Sequence, residues 1–135
     1  MDNQQEMMFK LQMFEQQMQQ IQQQMQAVEQ AITDMHALNF GLDELVGKKD
    51  KEIIASIGKG IFAKAKLISE DLIVDVGGKN FVTKSIPQTK ELIGSQIEKL
   101  SKVQKELSKN LEQVGGEFNN MIMEAQKGEM KNRKG

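Results

Sequence analysis

The segment GIFAKAKLISEDLIVDVGGKNFVTKSIPQTKELI, residues 60–93, decides the fold of this chain. In FAKAK, Phe and Lys alternate with Ala, which is the two-residue period of a β-strand. LIVDV and FVTKS are β-rich runs on either side of GGKN, and glycines at such a place favour a hairpin turn. The earlier runs EIIASI and IFAKAKLI flank GKG in the same manner. We therefore predict four strands in two consecutive hairpins, linked by residues 69–71.

A capped helix begins directly after the last predicted strand. Ser85 can cap the helix, Gln88 three residues later completes a capping box, and Pro87 lies in the first turn, where its missing N–H costs nothing. An apolar seam with coiled-coil spacing follows, and we expect the helix to fray near Gly128. The d positions are Ile86, Ile93, Leu100, Leu107, Val114 and Met121, and the a positions are Lys90, Ile97, Gln104, Leu111, Phe118 and Ala125.

The N-terminal part of the chain carries a second seam. With Met7 at position d, ten of the eleven a and d positions are apolar, and Asn39 is the exception. The Gln-rich outer faces alone would fit a disordered tract, but a 3-4 spacing held over this length indicates a coiled-coil helix. The d positions are Met7, Phe14, Ile21, Val28, Met35 and Leu42, and the a positions are Leu11, Met18, Met25, Ile32 and Asn39.

Two helices of similar length on either side of a β segment are most simply paired as an antiparallel coiled coil. In the heptad register, partner residue numbers add to about 132, and each pair then joins an a position to a d position. The pairs include Phe14 with Phe118, Leu11 with Met121, Ile21 with Leu111 and Ile32 with Leu100. The same register sets Val28 against Gln104 and Leu42 against Lys90, so the seam is imperfect at those two layers.

The predicted fold is α+β, a long antiparallel coiled-coil helical hairpin with two central β hairpins, in one domain. We place the N-terminal helix at residues 1–47, the two hairpins at 48–86 and the C-terminal helix at 87–128. Residues 129–135 form a basic tail, which we expect to be solvated.

The composition limits the chemistry. The 135 residues include no Cys, and the net charge of −1 comes without a dense basic stripe, so we expect neither thiol chemistry nor nucleic-acid binding. No apolar run is long enough to cross a membrane and no signal peptide is recognisable, so we expect a cytoplasmic protein with no membrane partner. His36 is the only His, so no metal or other cofactor is expected. VGGKNF lacks the pattern of a phosphate loop and no nucleophile–base pair is visible, so we predict that the chain is not an enzyme.

The methionines collect at one end of the predicted helix pair. Seven of the ten lie at or before Met35, and the other three lie after Val114. In an antiparallel pair those regions meet at the free end, the tip, which comprises residues 7–14 and 118–123. Several apolar residues of the tip lie off the seam, where a solvated coiled coil carries polar residues. Such a surface typically marks a binding site, and Met suits one that accepts many partners.

The candidate binding residues at the tip are Met7, Met8, Phe9, Leu11, Met13, Phe14, Phe118, Met121, Ile122 and Met123. The alternatives are a frayed terminus and a seam shared with another subunit. Gly115 and Gly116 interrupt the second helix nearby, and each costs about 1 kcal/mol relative to Ala. They are interpreted either as a tolerated kink or as a hinge that lets the tip open around a bound partner.

The β segment indicates assembly. Four short strands in two hairpins cannot bury both faces, and their edges stay unpaired, so we expect them to meet strands of other subunits. In LIVDV the inward face would be Leu72, Val74 and Val76. The candidate assembly residues are Ile53, Ile57, Ile61, Phe62, Leu67, Leu72, Val74, Val76, Phe81 and Val82.

Over nearly its whole length the chain resembles the alpha-type subunit of prefoldin, most closely the archaeal kind. The most specific part is residues 60–93, where a strand with small residues, a second strand, a Gly-Gly turn, an aromatic-led strand and a capped helix follow one another. The shorter beta type has one hairpin, whereas this sequence has room for two. The Gln- and Met-rich first helix and the Gly115–Gly116 pair depart from the family pattern.

The resemblance implies a hetero-hexamer of two alpha-type and four beta-type prefoldin subunits, whose hairpins assemble into an intersubunit double β-barrel with coiled-coil arms. It implies an ATP-independent holdase that captures unfolded polypeptide at the arm tips and passes it to a group II chaperonin. The alternative is a structural protein, such as a coiled-coil tether or a filament-forming relative of prefoldin.

Overall fold

The computed structural model describes the backbone of residues 3–134 and the side chains of residues 3–128. The element order is α1 (Asn3–Leu45), β1 (Glu52–Gly58), β2 (Ile61–Lys66), β3 (Leu72–Asp75), β4 (Phe81–Lys84) and α2 (Ile86–Lys134). This order of helix, two hairpins and helix confirms the predicted fold class. The β-barrel is an assembly of several chains and stays a prediction.

The described residues form two compact units. The helical unit contains residues 3–31 of α1 and 100–134 of α2, and the hairpin unit contains residues 32–99. The hairpin unit therefore holds all four strands together with the last turns of α1 and the first turns of α2.

The burial pattern of both helices follows the predicted seams. Every predicted a and d position of α1 is half-buried or buried, and elsewhere on this helix only Ala31 and Leu45 are shielded from solvent. In α2 all twelve predicted seam positions are half-buried or buried as well. A helix with a single narrow shielded stripe is the arrangement of a coiled coil, so both seams are confirmed.

The start of α2 has the predicted capping box. The Gln88 amide N–H donates to the Ser85 hydroxyl at 3.2 Å, and the Ser85 N–H donates to Oε1 of Gln88 at 3.1 Å. The Thr89 hydroxyl, which is buried, donates to the Ser85 carbonyl at 2.8 Å. These bonds satisfy groups that a helix start would otherwise leave without partners, and they fix where the chain turns from strand to helix.

The end of α2 differs from the prediction. The helix does not fray near Gly128 but continues to Lys134, and it also runs through Gly115 and Gly116 without interruption. Strong helix formers such as Glu, Met, Lys and Gln flank Gly128, and they offset the cost of about 1 kcal/mol that one Gly imposes. The side chains of the basic tail lie outside the described residues, so their solvation stays a prediction.

The two hairpins form two separate two-stranded antiparallel sheets, β1 with β2 and β3 with β4. In the first sheet Ile53 pairs with Ala65 and Ala55 pairs with Ala63, and this face is half-buried. The opposite face is exposed, with Phe62 at 62% exposure. The alternation predicted from FAKAK is therefore confirmed.

The second hairpin confirms most of the predicted inward face. Leu72 and Val74 are half-buried, but Val76 follows the end of β3 and is 52% exposed, so its predicted inward position is wrong. The chain is already entering the turn there, where Gly77 and Gly78 have φ values of 130° and 58°. Such values favour glycine, as predicted for this turn.

A small core holds the hairpin unit together. Leu42, Ile86 and Ile93 are 4–7% exposed, and the half-buried residues packed against them are Met35, Leu45, Leu72 and Ile97. The connection between β2 and β3 is tied to the end of α1, since the Gly47 N–H donates to Oε1 of Glu70 at 2.7 Å. This core anchors one face of one hairpin and leaves most other strand side chains uncovered.

Candidate functional site

The helical unit pairs its two helices in an antiparallel manner. Nε2 of Gln104 donates a long hydrogen bond of 3.5 Å to Oε1 of Glu29. Farther toward the N-terminus of α1, Ile21 lines a shallow groove together with Val114. As α1 numbers fall, the α2 numbers beside them rise, which is the antiparallel direction. Glu29 is adjacent to Val28, the predicted partner of Gln104, so the contact agrees with the predicted register to within one residue.

Two polar seam residues, Gln104 in the helical unit and Lys90 in the hairpin unit, are accommodated in a similar way. In the helical unit Gln104 turns its amide from the seam to Glu29, beside the predicted partner Val28. In the hairpin unit Lys90, predicted to face Leu42, forms an ion pair with Asp43. Both residues are half-buried, and in both cases the polar head group reaches the residue next to the predicted partner.

Asn39, the polar exception in the α1 seam, is accommodated differently. Its Oδ1 atom is buried and has no hydrogen-bond partner among the described residues. Asn at an a position typically restricts the register of a coiled coil at a cost in stability, and that is the role its seam position indicates for Asn39.

The seam residues of the tip are half-buried. They are Met7, Leu11, Phe14, Phe118 and Met121. The antiparallel register of the helical unit brings the N-terminal turns of α1 to the C-terminal part of α2, so both halves of the tip lie at one end of this unit. The specific pairing of Phe14 with Phe118 stays a prediction.

Four apolar side chains of the tip lie off the seam and are exposed. Met8 is 63% exposed, Phe9 58%, Met13 47% and Met123 58%. The fifth predicted off-seam residue, Ile122, is half-buried and so differs from the others. Ile122 occupies an e position, which flanks the seam, and a branched side chain at such a position can lie against the opposite helix. The tip thus exposes four large apolar groups that the pairing of the helices does not use.

The groove between the helices is mainly polar, whereas the tip is apolar. It encloses about 430 Å³ and is lined by Gln17, Gln20, Ile21, Gln24, Asn110, Gln113, Val114 and Glu117. Most of these are carboxamides at the flank of the seam, which are well hydrated. The groove therefore offers no concentrated apolar surface, in contrast to the neighbouring tip.

The strand residues divide into shielded and exposed sets. Among the predicted assembly residues, the half-buried ones are Ile53, Leu67, Leu72 and Val74, and the exposed ones are Ile57, Ile61, Phe62, Val76, Phe81 and Val82. The sequence reasoning missed three of the most exposed apolar residues, which are Ile54 at 71%, Ile68 at 79% and Ile73 at 78%. The signal for Ile54 was present, because EIIASI is apolar on both faces of a strand.

The described residues contain no candidate metal site. Among them no three His, Asp or Glu side chains lie close enough together to hold a metal ion, and His36 is exposed. Neither helix has a described stretch that is long and apolar enough to cross a membrane. The apolar tip and the uncovered strands are therefore the candidate functional surfaces.

Comparison with known proteins identifies the family. The family model described as prefoldin subunit matches residues 14–129, so the chain belongs to the prefoldin family, a family of chaperones and not of enzymes. Over 67 residues the chain is 31% identical to prefoldin subunit alpha 1 of Methanocaldococcus jannaschii. That alignment covers 50% of this chain and 47% of the relative, so it spans about half the length of that protein.

A solved structure has the same fold. A chain in the cryo-EM structure of filamentous PFD from Methanocaldococcus jannaschii matches with a TM-score of 0.73 and 15% identity. The match covers 84% of this chain and 95% of the other. The family membership and the fold confirm the resemblance seen in the sequence.

Proposed function

We propose that this chain is a subunit of an ATP-independent holdase that captures unfolded polypeptide at the tip of the helical unit. The observation that carries the proposal is the exposure of Met8, Phe9, Met13 and Met123 beside seam residues of the tip that are themselves half-buried. Exposed apolar surface without a structural use is a hallmark of a binding site. Unfolded chains are the partners that share no sequence but all expose apolar side chains.

The chemistry of the tip suits varied clients. Met is unbranched and has a polarizable thioether, so it can repack against side chains of different shape. Burial of one such side chain contributes about 1.5–3 kcal/mol, which is too little to hold a client for long. Several tips that act on one extended client would multiply the effect, because each later contact forms within the same complex.

The hairpin unit supports assembly as the source of that multivalency. Its exposed strand residues and unpaired strand edges call for partner strands. We propose that the hairpins join those of other prefoldin subunits, in a hetero-hexamer of two alpha-type and four beta-type chains around a double β-barrel. We further propose that the captured client passes to a group II chaperonin in the cytoplasm. Native mass spectrometry of the chain with a beta-type subunit tests the stoichiometry.

The test of the tip replaces Met8, Phe9, Met13 and Met123 with Ser in the full chain. Each is exposed, so each change should alter the free energy of unfolding by about 0.5 kcal/mol or less. Client capture should nevertheless fall strongly. The measurement is suppression of aggregation of a chemically denatured protein on dilution, with the mass of the assembly checked in parallel.

Val103→Ser is the matched control for this variant. Val103 is also an exposed apolar residue of α2, 42% exposed, but it lies about 30 Å along the helix from Met123. The control should protect clients as well as the unmodified protein. An intact assembly of the four-Ser variant that still protects clients fully would contradict the proposal and favour a structural or filament-forming role.

A further inference from the structure

The sulfur atoms of this chain are unevenly placed. The chain has no Cys, so its ten Met side chains carry all of its sulfur. No Met lies between Met35 and Met121, a stretch that includes all four strands. The hairpin unit therefore contains a single thioether, that of Met35, which packs against the Leu42 core.

The thioethers also differ in exposure. Met8 is 63% exposed, Met13 47% and Met123 58%. The other Met residues with described side chains are seam residues and are half-buried, namely Met7, Met18, Met25, Met35 and Met121. A dissolved oxidant therefore meets three thioethers at the tip before it meets those of the seam.

We propose that Met8, Met13 and Met123 form a reversible oxidation site that switches off client capture at the tip. The inference rests on the proposed holdase function, since it assigns a regulation to the same surface. The oxidant is a peroxide, and the product is methionine sulfoxide. The restoring reaction is reduction by methionine sulfoxide reductases, one enzyme for each sulfoxide epimer, with a dithiol as the reductant. The sulfoxide oxygen leaves as water, and the dithiol becomes a disulfide.

The reaction balances with hydrogen peroxide alone. A sulfur lone pair attacks one peroxide oxygen, a sulfur–oxygen bond forms, and the oxygen–oxygen bond breaks. The departing oxygen takes up the proton of the transferred hydroxyl and leaves as water. The thioether is thereby oxidised by two electrons, and the peroxide is reduced by two.

The change in polarity explains the switch. A sulfoxide is polar and strongly hydrated, whereas the thioether is apolar and adaptable, so oxidation removes the property that suits the tip to unfolded clients. The strands contain no Met and the single thioether of the hairpin unit is packed, so the same oxidation leaves the assembly surface intact. Capture is lost while the complex persists.

The test compares the full chain with a variant carrying Met8→Leu, Met13→Leu and Met123→Leu, each in the assembly that it forms. Leu keeps the apolar volume but cannot be oxidised. After mild hydrogen peroxide, peptide mass spectrometry locates the sulfoxides, and suppression of aggregation measures capture. Relative to the same protein before peroxide, we expect about a tenfold loss of apparent client affinity for the unmodified chain and a loss of less than about twofold for the variant. Both reductases together with a dithiol should restore the unmodified chain.

The outcomes separate this inference from the proposed function. If the untreated protein does not capture clients, the proposed function is wrong and the switch falls with it. If sulfoxide at all three positions leaves capture unchanged, the switch is wrong and the holdase function stands. An equal loss in the Leu variant would place the effect at other Met residues and overturn the assignment to these three. A loss that accompanies dissociation of the assembly would do the same.

Discussion

The two units both expose large apolar side chains, but of different kinds. In the hairpin unit the exposed set is Leu38, Phe40, Val46, Ile54, Ile57, Ile61, Phe62, Ile68, Ile73, Val76, Phe81 and Val82, of which eight are Val or Ile and none is Met. In the described helical unit the set is Met8, Phe9, Met13, Val103 and Met123, of which three are Met. Stiff β-branched groups dominate the first set and flexible thioethers the second.

The difference indicates two kinds of interaction. A β-branched side chain has few rotamers, so it loses little freedom when it meets a partner of fixed shape, and it favours strand pairing. Met can adopt many shapes, which suits partners that vary. Under the proposed function, the exposed strands form a permanent interface with defined subunits, and the tip makes transient contacts with unrelated chains. Four predictions test this division, in order of decreasing effect.

The largest effect is expected from a charge on the exposed strand faces. Ile54→Asp together with Ile73→Asp replaces side chains that are 71% and 78% exposed in the single chain, so folding of the chain does not require them. A buried unpaired carboxylate at a subunit interface is strongly unfavourable. We expect the assembly to dissociate completely while the helices keep their far-ultraviolet circular dichroism.

Lys59→Asp is the control for that experiment. Lys59 lies in the turn between β1 and β2 with a φ of 51°, a conformation that Asp accepts well. The control should keep the mass of the assembly in native mass spectrometry. An Ile54/Ile73 variant that also keeps its mass would show that these faces are not an interface.

A smaller effect is expected when the flexible Met side chains of the tip are replaced by β-branched ones like those of the strands. Met8, Met13 and Met123 are changed to Ile, with the same three positions changed to Leu as the control. Ile keeps most of the apolar area but restricts rotation about the first side-chain bond. We measure apparent affinity for a panel of unrelated denatured clients. The Ile variant should lose about three- to tenfold in affinity for some clients and little for others. An Ile variant that protects the whole panel as well as the Leu variant does would show that side-chain flexibility is not what distinguishes the tip from the strands.

The seams could be predicted from sequence because a heptad pattern repeats over many turns, so one exception such as Asn39 does not obscure it. The exposure of Phe9 at position f and of Met13 at position c follows from the same periodicity. The half-buried state of Ile122 could not be predicted, because an e position is shielded or open according to the side chain opposite.

The strand faces were less predictable. Two adjacent isoleucines, Ile53 and Ile54, give no preference for either face, and only the pairing of Ile53 with Ala65 decides which is shielded. The end of α2 is hard to predict from sequence, because Gly128 favours a helix end whereas the helix formers on both sides of it favour continuation. The sequence also indicated that Gln104 and Lys90 disturb the seam, but it could not indicate which neighbours receive their head groups.

A third prediction compares two pairs of helical glycines, one pair taken from each unit. Gly115 and Gly116 lie in the helical unit, and Gly41 and Gly94 lie in the hairpin unit; a Cβ added at any of them meets no atom within 4 Å. Changing either pair to Ala should raise the free energy of unfolding by about 1 kcal/mol per residue, seen as a higher Tm. Capture should be unchanged for the Gly41/Gly94 variant. Reduced capture confined to the Gly115/Gly116 variant identifies a hinge at the tip, and unchanged capture identifies glycines that the helix merely tolerates.

The smallest effect is expected at the ion pair of the hairpin unit. The side chains of Lys90 and Asp43 are 33% and 54% exposed, so water and salt screen their attraction. Asp43→Ala should lower the free energy of unfolding by about 0.5 kcal/mol or less, and by still less in high salt. Lys90→Met is the matched variant, because Met keeps an unbranched apolar side chain at this half-buried position and removes the charge.

If the pair acts only as a flank contact, both single variants and the double variant should show the same small change in denaturant unfolding, with a coupling energy within about 0.5 kcal/mol. The apolar core of Leu42, Ile86 and Ile93 would then account for the stability of this layer without help from the charges. A coupling above about 1.5 kcal/mol would mean instead that Lys90 fixes the register of the helices beside the strands. The Lys90–Asp43 ion pair would then help to define the structure of the hairpin unit, together with the β-branched side chains. The difference between the hairpin unit and the adaptable tip would then depend on more than side-chain flexibility.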